Sequence, residues 1–374
     1  MADFVIKQLV ADDLERELSL IGFDEGYKSA AADKFRYKNF KIFSVSVEQA
    51  NIIKQTALSV GADCGTHREV IRGKAEKSDV ILGGSYSQIK KISEKLKHQP
   101  FSLKILAEGL ENSLSDGKTK TKLAGILNIT PDSFSDGGKY FDEKSAQEHL
   151  ISMIQDGADM IDIGAESTRP YSQGVEPKEQ INRLTPILKF IQKENISIPI
   201  SVDTRSSEVA DFALNNGASI INDVSGFDYD GNLAQVVSDY NASVIIQHSK
   251  GTPENMQDLP QYNNLIDEIY LSLKNKIEYA HSLGIKKIIS DPGIGFGKTK
   301  EDNFEILNRI EEFYSLGCPV MVGVSRKSLL GVKSDDNDLK DSLTLALSYP
   351  LVKKGVDYLR VHNVKLHKAL TDLY

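Results

Sequence analysis

The chain has 374 residues, of which 40% are hydrophobic and 26% charged, and it carries a formal net charge of −8. This length is too great for an ordinary small domain and suits one barrel of roughly 250 residues plus a smaller unit. The acidic balance excludes nucleic acid and anionic membranes as main partners, so we expect small-molecule substrates. Cys64 and Cys318 are the only cysteines, which excludes a disulfide framework or zinc knuckle and predicts a cytoplasmic protein.

The first 117 residues predict a small α/β domain. Its strand-like runs are FKIFSVSV, SDVILGG and FSLKILA, and its helix-like runs are EQANIIKQTALSVG and SYSQIKKISEKLK. Cys64 and His67 stand three residues apart in a loop-like segment, and we interpret this spacing as incidental. This part of the chain offers no chemical motif and no signal-peptide core. The polar segment SLSDGKTKTK at 113–122 is typical of a linker, so we place the domain boundary between residues 117 and 118.

From Lys122 onward the sequence repeats a short apolar run, a polar or glycine-rich turn and a helical stretch. Eight such runs are present: KLAGILNI, DMIDIG, SIPISVD, ASIINDV, ASVIIQH, KKIISD, PVMVGV and DYLRVH. Alternating strands and helices favour parallel strands with right-handed crossovers. Eight repeats over about 250 residues predict an α/β fold, a (β/α)₈ TIM barrel, over residues 118–374.

The predicted strands end in polar residues. In chain order these are Asn128, Glu166 to Arg169, Asp203, Asn222, Asp223, His248, Asp291, Ser325 to Ser328, Arg360 and His362. In a barrel of this kind the active site lies at the carboxyl ends of the strands. Helix capping remains an alternative for Asp203 or Asn222 taken alone. Capping does not explain why cations such as Lys327 and Arg360 stand at the same end of the barrel as these acids.

This mixture of charges indicates a class of ligand. Asp203, Asn222 and Asp291 offer acceptors that suit a planar heterocycle with adjacent N–H donors, such as a pterin or a purine-like ring. The cations would bind an anion such as phosphate. Asn128 offers a neutral oxygen that suits Mg²⁺, which keeps few protein ligands and several waters.

The segment DPGIGFGKT, Asp291 to Thr299, ends like a phosphate-binding loop. A Walker A motif requires a glycine five residues before Gly297, and Pro292 stands there. The segment therefore does not match a nucleotide-binding P-loop, and Lys298 is not a Walker lysine. Its leading residue, Asp291, places a carboxylate at the end of a predicted buried strand, a position that requires an explanation.

Seven blocks together resemble dihydropteroate synthase: GILNITPDSFSDGG, DIGAESTRP, SVDTRSSEVA, INDVSG, DPGIGFGK, VGVSRKS and RVHNV. They occur in family order between Lys122 and the C-terminus, and the first 117 residues or so lie outside the resemblance. The resemblance implies condensation of 6-hydroxymethyl-7,8-dihydropterin diphosphate with p-aminobenzoate to 7,8-dihydropteroate and pyrophosphate. It also implies Mg²⁺ as cofactor and a homodimer.

The resemblance assigns roles to individual positions. It implies catalytic roles for Asp203, Asp291, Lys327 and Arg360; pterin contacts at Asp203, Asn222, Asp291, Phe296 and Lys327; diphosphate contacts at Arg169, Arg360 and His362; and a metal contact at Asn128. Two mobile loops hold Ser133, Phe134, Ser135 and Asp136 in the first and Thr168 with Arg169 in the second, while Ser328 at a helix N-terminus faces the aminobenzoate carboxylate.

Three positions depart from the family pattern. Gln247 and Ser249 flank His248 where the family usually has methionines, which makes that wall of the pterin pocket more polar. Asn363 stands where aspartate is commoner and removes a negative charge beside the diphosphate contacts. We expect the chemistry to survive, because it depends on positioning and electrostatics rather than on a covalent nucleophile.

Two rival functions remain open at this level. A pterin-binding methyltransferase would keep the acidic heterocycle pocket, but its methyl donor has no diphosphate and leaves the cations of SRKS and RVH without a purpose. A non-catalytic pterin-binding or scaffold protein would not need Asn128, Arg169 and Lys327 together.

Overall fold

In the computed structural model of the protein, the described residues are 6–9, 14–114, 120–129, 139–166, 174–251, 261–332 and 336–374; the side chains of 139–142 are not among them. The chain divides into two compact units, Met1–Gly117 and Lys118–Tyr374. Each unit has a hydrophobic core of its own. No helix in these ranges is both long and apolar enough to cross a bilayer.

The first unit contains a three-stranded antiparallel sheet. Its strands are β1 (Tyr37–Ser46), β2 (Asp63–Thr66) and β3 (Lys77–Ser85), arranged in the order β1-β3-β2. Its helices are α1 (Leu14–Leu20), α2 (Lys28–Ala32), α3 (Val47–Leu58), α4 (Tyr86–Leu96) and α5 (Leu103–Asn112). The core of this unit joins apolar side chains of β3 to those of α3, α4 and α5.

Helices α3 and α4 begin directly after strands because a serine caps each of them. The hydroxyl of Ser46 accepts from the amide of Gln49 at 3.2 Å, and the Gln49 side chain accepts from the Ser46 amide at 2.8 Å. Ser85 and Gln88 repeat this arrangement. Such capping boxes satisfy two otherwise unpaired N–H groups. Both helices agree with the helix-like runs of the sequence.

The prediction of a strand at FSLKILA is wrong. Most of this run belongs to helix α5, in which Leu103, Ala107 and Leu110 are buried. Their spacing of four and three residues is the period of a helix face rather than of a strand. The run FSLKILA covers less than two full helical turns, so it was too short to show this period.

Cys64 and His67 do not form a reactive pair. Cys64 lies in β2 and is half-buried, and burial raises the pKa of its thiol, which disfavours the nucleophilic thiolate. The Nδ1 atom of His67 accepts from the amide of Glu69 at 3.3 Å. These contacts agree with the interpretation of the pair as incidental.

The second unit is a closed parallel barrel with all eight predicted strands. They are β4 (Lys122–Asn128), β5 (Met160–Gly164), β6 (Ile200–Asp203), β7 (Ile220–Asp223), β8 (Ser243–Gln247), β9 (Ile288–Asp291), β10 (Met321–Val322) and β11 (Tyr358–Val361). The sheet order is β10-β11-β4-β5-β6-β7-β8-β9. A parallel bridge between Ser290 and Val320 joins β9 to β10 and closes the ring.

Helices alternate with these strands around the barrel. They are α6 (Lys139–Gln155), α7 (Pro177–Lys193), α8 (Ser207–Asn215), α9 (Leu233–Asp239), α10 (Leu265–Ser282), α11 (Lys300–Asn308), α12 (Asn337–Lys354) and α13 (Val364–Thr371), with 3₁₀ turns at Ile310–Leu316 and Ser328–Leu330. Four glycines that stand between a helix and the next strand have positive φ: Gly157, Gly217, Gly284 and Gly355, the last with +81° after α12. Glycine reaches this left-handed region without the penalty that a Cβ atom would cause.

Strand alternation gives the barrel two faces. Outward residues such as Leu123, Ile161 and Val202 belong to the large core shared with the helices. Near the amino ends of the strands, a separate apolar layer fills the interior: Ala124, Met160, Ile220, Ile245, Ile289 and Met321. Two residues further along the strands, the inward side chains become polar. The barrel interior is therefore apolar near the amino ends of the strands and polar at their carboxyl ends, and this polar end is the mouth of the barrel.

Candidate active site

An arginine between two buried carboxylates forms the centre of the mouth. The Arg360 Nε atom donates to Asp162 Oδ2 at 2.6 Å, and its Nη2 atom donates to Asp203 Oδ2 at 3.1 Å. Asp162 is fully buried. Arg360 and Asp203 are therefore brought together as the sequence predicted, although both of these Arg360 nitrogens point to carboxylates rather than outward.

Asp162 was not among the predicted site residues. It also accepts from Asn222 Nδ2 at 3.1 Å, through the same Oδ2 atom that binds Arg360. The signal was present in the sequence, because Asp162 lies two residues before the inward Gly164 at the end of β5 and side chains alternate along a strand. A search limited to the last residues of each strand passed over it.

The barrel interior controls the ionisation of Asp203. Burial raises the pKa of this carboxyl to about 7, Arg360 opposes the shift, and the charge of Asp162 adds to it. A desolvated carboxylate is costly unless a partner stabilises its charge. The contact with Arg360 therefore favours the charged, accepting form of Asp203 against the cost of its burial.

Asp291, Phe296 and Lys327 lie together at or beyond the ends of β9 and β10. Asp291 Oδ1 accepts from the amide of Gly293 at 2.7 Å, and burial raises the pKa of Asp291 while Lys327 opposes this shift. The Lys327 ammonium donates to the carbonyl of Ile294 and lies 4.6 Å from the centre of the Phe296 ring. Burial lowers the pKa of Lys327 to about 8. These three predicted pterin residues thus form one cluster.

Lys298 holds the glycine-rich loop in place. Its ammonium is buried and donates to His248 Nδ1 at 3.0 Å and to the carbonyl of Phe296 at 2.9 Å. The loop lies so close to the β8 end that a Cβ atom on Gly293, whose φ is +73°, would fall 1.8 Å from the carbonyl oxygen of His248. Only glycine fits there. The position of Lys298 agrees with the conclusion that it is no Walker lysine, and it shows a packing role that the sequence did not reveal.

The tips of β10 and β11 are tied to each other. Ser325 Oγ and His362 Nδ1 are 2.9 Å apart. Arg326, with a φ of +56°, places its guanidinium on both oxygens of Asp341 in α12 at 2.7 and 2.8 Å. Asn363 donates to the same Asp341 at 3.1 Å and accepts from the amide of Leu366. Asn363 therefore caps α13 and binds α12.

Ser328 does not begin a long helix. It opens a 3₁₀ turn of three residues, Ser328–Leu330, and α12 starts only at Asn337. A turn of this length has no aligned series of peptide dipoles, so the expected helix-dipole contribution at Ser328 is wrong. Its proposed contact with the aminobenzoate carboxylate would have to come from its hydroxyl or from single amides.

Glu166 anchors the start of the second predicted loop. It accepts from Arg205 Nη2 at 3.0 Å and from the amide of Val175 at 3.0 Å, so it links the residues on either side of the segment 167–173. The remaining loop residues predicted for the site lie outside the described residues: Ser133, Phe134, Ser135, Asp136, Thr168 and Arg169.

Asn128 ends β4 at the mouth. A Cβ atom built on Gly164 would lie 3.2 Å from Asn128 Oδ1 and 3.9 Å from the Cβ of Asp203. The amide oxygen of Asn128 is therefore beside the buried carboxylates and is a hard donor of the kind that Mg²⁺ accepts. Within the described ranges, no three His, Cys, Asp or Glu residues form a metal-binding group.

The sequence is similar to known pterin enzymes along its barrel. Residues 124–362 match the family model described as pterin binding enzyme. The chain is 34% identical over 379 residues to the bifunctional dihydropteroate synthase/dihydropteroate reductase of Helicobacter pylori, covering 99% of this chain and 98% of that protein. It is 42% identical to the dihydropteroate synthase of Bacillus subtilis, covering 66% of this chain and 85% of that protein.

Solved structures give the same relationship. A dihydropteroate synthase from Clostridium difficile, in the presence of pteroic acid, is 39% identical with a TM-score of 0.64 and covers 70% of this chain and 97% of its own. The dihydropteroate synthase of Thermus thermophilus in complex with 6HMPPP is 33% identical with a TM-score of 0.58, over 68% of this chain and 93% of its own. With the barrel and its polar mouth, these similarities show that the chain belongs to the dihydropteroate synthases, a family of pterin-binding transferases.

Proposed function

We propose that the mouth of the barrel is the site at which this dihydropteroate synthase joins 6-hydroxymethyl-7,8-dihydropterin diphosphate to p-aminobenzoate. The observation that carries this assignment is one group of buried acceptors and half-buried cations at the carboxyl ends of the strands. Asp203, Asn222 and Asp291 are buried there, and Lys327 and Arg360 lie half-buried beside them. A heterocycle with a donor edge and an anionic substituent uses both kinds of group.

The pterin ring is proposed to lie against the acceptors. A carboxylate such as Asp291 accepts two parallel hydrogen bonds from adjacent N–H groups of a planar ring. One of its oxygens already binds the Gly293 amide, which holds the carboxylate in orientation. Phe296 beside Lys327 adds an aromatic wall.

The chemistry is a substitution at the methylene carbon of the pterin. The amine nitrogen of p-aminobenzoate forms the new C–N bond, the C–O bond to the diphosphate breaks, and the nitrogen loses a proton. The leaving diphosphate gathers negative charge, which Arg360 and His362 are proposed to offset electrostatically. No side chain has to form a covalent bond.

The second substrate and the loops are assigned by family resemblance. Ser328 and the loop residues Ser133, Phe134, Ser135, Asp136 and Thr168 are proposed to surround p-aminobenzoate, and Arg169 to bind the diphosphate. Closure of such loops excludes water from the reaction.

Mg²⁺ is the proposed cofactor. Asn128 would hold it together with diphosphate oxygens, and the ion would neutralise charge on the leaving group. The hard amide oxygen of Asn128 beside the mouth fits this role. Few protein ligands are needed, because Mg²⁺ keeps several waters.

A turnover assay with both substrates tests the function and the cofactor together. We expect 7,8-dihydropteroate to form, turnover to stop when a chelator is added, and excess Mg²⁺ to restore it, because the diphosphate charge needs a counter-ion. Pyrophosphate release measures the rate. Full turnover in chelator would assign the leaving-group charge to the protein cations alone; no turnover with Mg²⁺ would contradict the function.

Asp291→Asn tests the ring assignment. We expect binding of the pterin diphosphate to weaken by about 2–4 kcal/mol, because the amide turns one acceptor into a donor that faces another donor. Isothermal titration calorimetry measures the affinity. Asp357→Asn is the matched control, since Asp357 precedes β11 at the other end of the barrel and accepts from the Val320 amide. Lys298 cannot serve as control, because its loss would disturb His248. Undiminished affinity in Asp291→Asn would contradict the assignment.

A homodimer is proposed from the resemblance and from exposed apolar side chains on α12 and at the C-terminus. Leu339 and Tyr349 of α12 are each 45% exposed, and Leu373 is 77% exposed. We expect light scattering to give twice the 41.4 kDa of one chain, and Tyr349→Asp with Leu373→Asp to give monomers. A wild-type monomer at micromolar concentration would contradict the dimer. The cytoplasmic location stays a prediction, for which cell fractionation is the test.

Reduction of dihydropteroate is a second candidate function, favoured because the similarity to the bifunctional relative spans 99% of this chain. Adding two electrons and two protons to the dihydropterin ring requires a reductant such as reduced nicotinamide or reduced flavin. We expect full-length protein given such donors to form tetrahydropteroate, detected by mass spectrometry. Residues 118–374 alone serve as control and should only condense. Condensation by the full chain without reduction under any donor would reject this activity.

A further inference from the structure

The floor of the mouth contains a carboxylate that the proposed roles leave without a function. Asp162 is fully buried, and its Oδ2 atom accepts from both Arg360 and Asn222. Three strands, β5, β7 and β11, supply these three side chains. One oxygen atom therefore links two residues that are proposed to touch the substrate.

Asp162 decides which way the amide of Asn222 faces. A carboxylate paired with a guanidinium accepts hydrogen bonds and does not donate them. The NH₂ group of Asn222 must therefore point to Asp162, as the 3.1 Å contact has it. The carbonyl oxygen of Asn222 is then turned away from Asp162. Asn222 offers the ring an acceptor and no donor.

The same contact orients Arg360. Its Nε atom is held by Asp162 at 2.6 Å and its Nη2 atom by Asp203 at 3.1 Å. Two fixed nitrogens leave a planar guanidinium little freedom to rotate. The face that Arg360 turns to a substrate is therefore set by Asp162 as well.

We propose that Asp162 is a positioning residue that sets the hydrogen-bond polarity of the pocket floor, and thereby its specificity for a heterocycle with N–H donors. This inference rests on the proposed pterin site. With Asp162 in place, Asp203, Asn222 and Asp291 all present acceptors. A ring that presents acceptors at these positions would leave them facing other acceptors and would be rejected.

Two substitutions at Asp162 separate its acceptor from its volume. Asp162→Leu fills a similar space without an acceptor, so the Asn222 amide loses the partner that fixes its orientation. In Asp162→Asn the amide oxygen can take the place of Oδ2 and accept from both Arg360 and Asn222, while the NH₂ group takes the place of Oδ1, which has no hydrogen-bond partner among the described residues. Asn222→Asp places two carboxylates together, which also weakens the pocket.

The conservative variant therefore distinguishes two explanations. A role in packing alone predicts that Asp162→Leu and Asp162→Asn behave alike, because both side chains fill the space. A role in hydrogen-bond polarity predicts a loss in Asp162→Leu and retention in Asp162→Asn, which keeps the acceptor.

The experiment is calorimetric titration of 6-hydroxymethyl-7,8-dihydropterin diphosphate into the full chain and its variants, with circular dichroism to confirm folding. We expect about a tenfold or larger loss of affinity in Asp162→Leu and in Asn222→Asp, from an unsatisfied or mismatched buried hydrogen bond, and an affinity within about threefold of wild type in Asp162→Asn. Ser201→Ala is the matched control. Ser201 is buried beside Asp162 in the β5–β6 register, and among the described residues its hydroxyl has no hydrogen-bond partner, so its loss should leave affinity unchanged.

Several results would overturn the inference. Wild-type affinity in Asp162→Leu would do so while leaving the proposed function intact, and so would a loss in Asp162→Asn as large as that in Asp162→Leu. If Asp162→Leu failed to fold, wild-type affinity in Asn222→Asp would still overturn the inference. A wild-type chain that binds no pterin diphosphate would instead reject the proposed function and the inference with it.

Discussion

The buried contact of Arg360 with Asp162 and Asp203 is the interaction on which the rest of the mouth depends. Desolvating these charges costs free energy that only their mutual pairing offsets. Leaving one partner buried alone costs about 3–5 kcal/mol, so the three side chains hold one arrangement. The carboxylates come from β5 and β6 and the arginine from β11, and their pairing therefore requires a closed barrel with its register intact.

The second constraint is the close approach of the loop after β9 to the end of β8. Gly293 has no Cβ atom, so the His248 carbonyl can lie close to it. The buried ammonium of Lys298 donates to His248 on one segment and to the Phe296 carbonyl on the other. Burial lowers the pKa of Lys298 to about 7, so folded protein releases this proton more readily than unfolded chain. This lysine therefore contributes less stability below pH 7 and more as pH rises from 7 towards its unfolded pKa of about 10.4.

The structure accommodates two of the departures from the family pattern, Asn363 and Gln247. Asn363 does more than remove a charge, because its amide donates to Asp341 and caps α13. Gln247 faces the interior beside Asp291, and among the described residues its NH₂ group has no hydrogen-bond partner. An acceptor on a bound heterocycle would satisfy it. A more polar wall is thus compatible with a pterin pocket.

The sequence by itself determined the barrel, its eight strands and the residue types at their ends. Period-two and helical patterns and helix-ending glycines are local signals, and they are strong in long, regular segments. Asp203, Asn222, Asp291, Lys327 and Arg360 could be found in this way, because each stands at or near the carboxyl end of a strand. The seven blocks that resemble the family indicated the substrates. The class of short segments was less certain, and FSLKILA was predicted as a strand although most of it is helical.

Only the tertiary structure decided how these residues pair. Asp162 and Arg360 are 198 residues apart in the sequence, and Lys298 reaches His248 across 50 residues. Such contacts depend on strand order, register and burial, which no local pattern encodes. The raised pKa of Asp203 and the short 3₁₀ turn at Ser328 likewise follow from surroundings assembled by distant parts of the chain. Sequence names the groups of a site, whereas folding sets their partners and their charge.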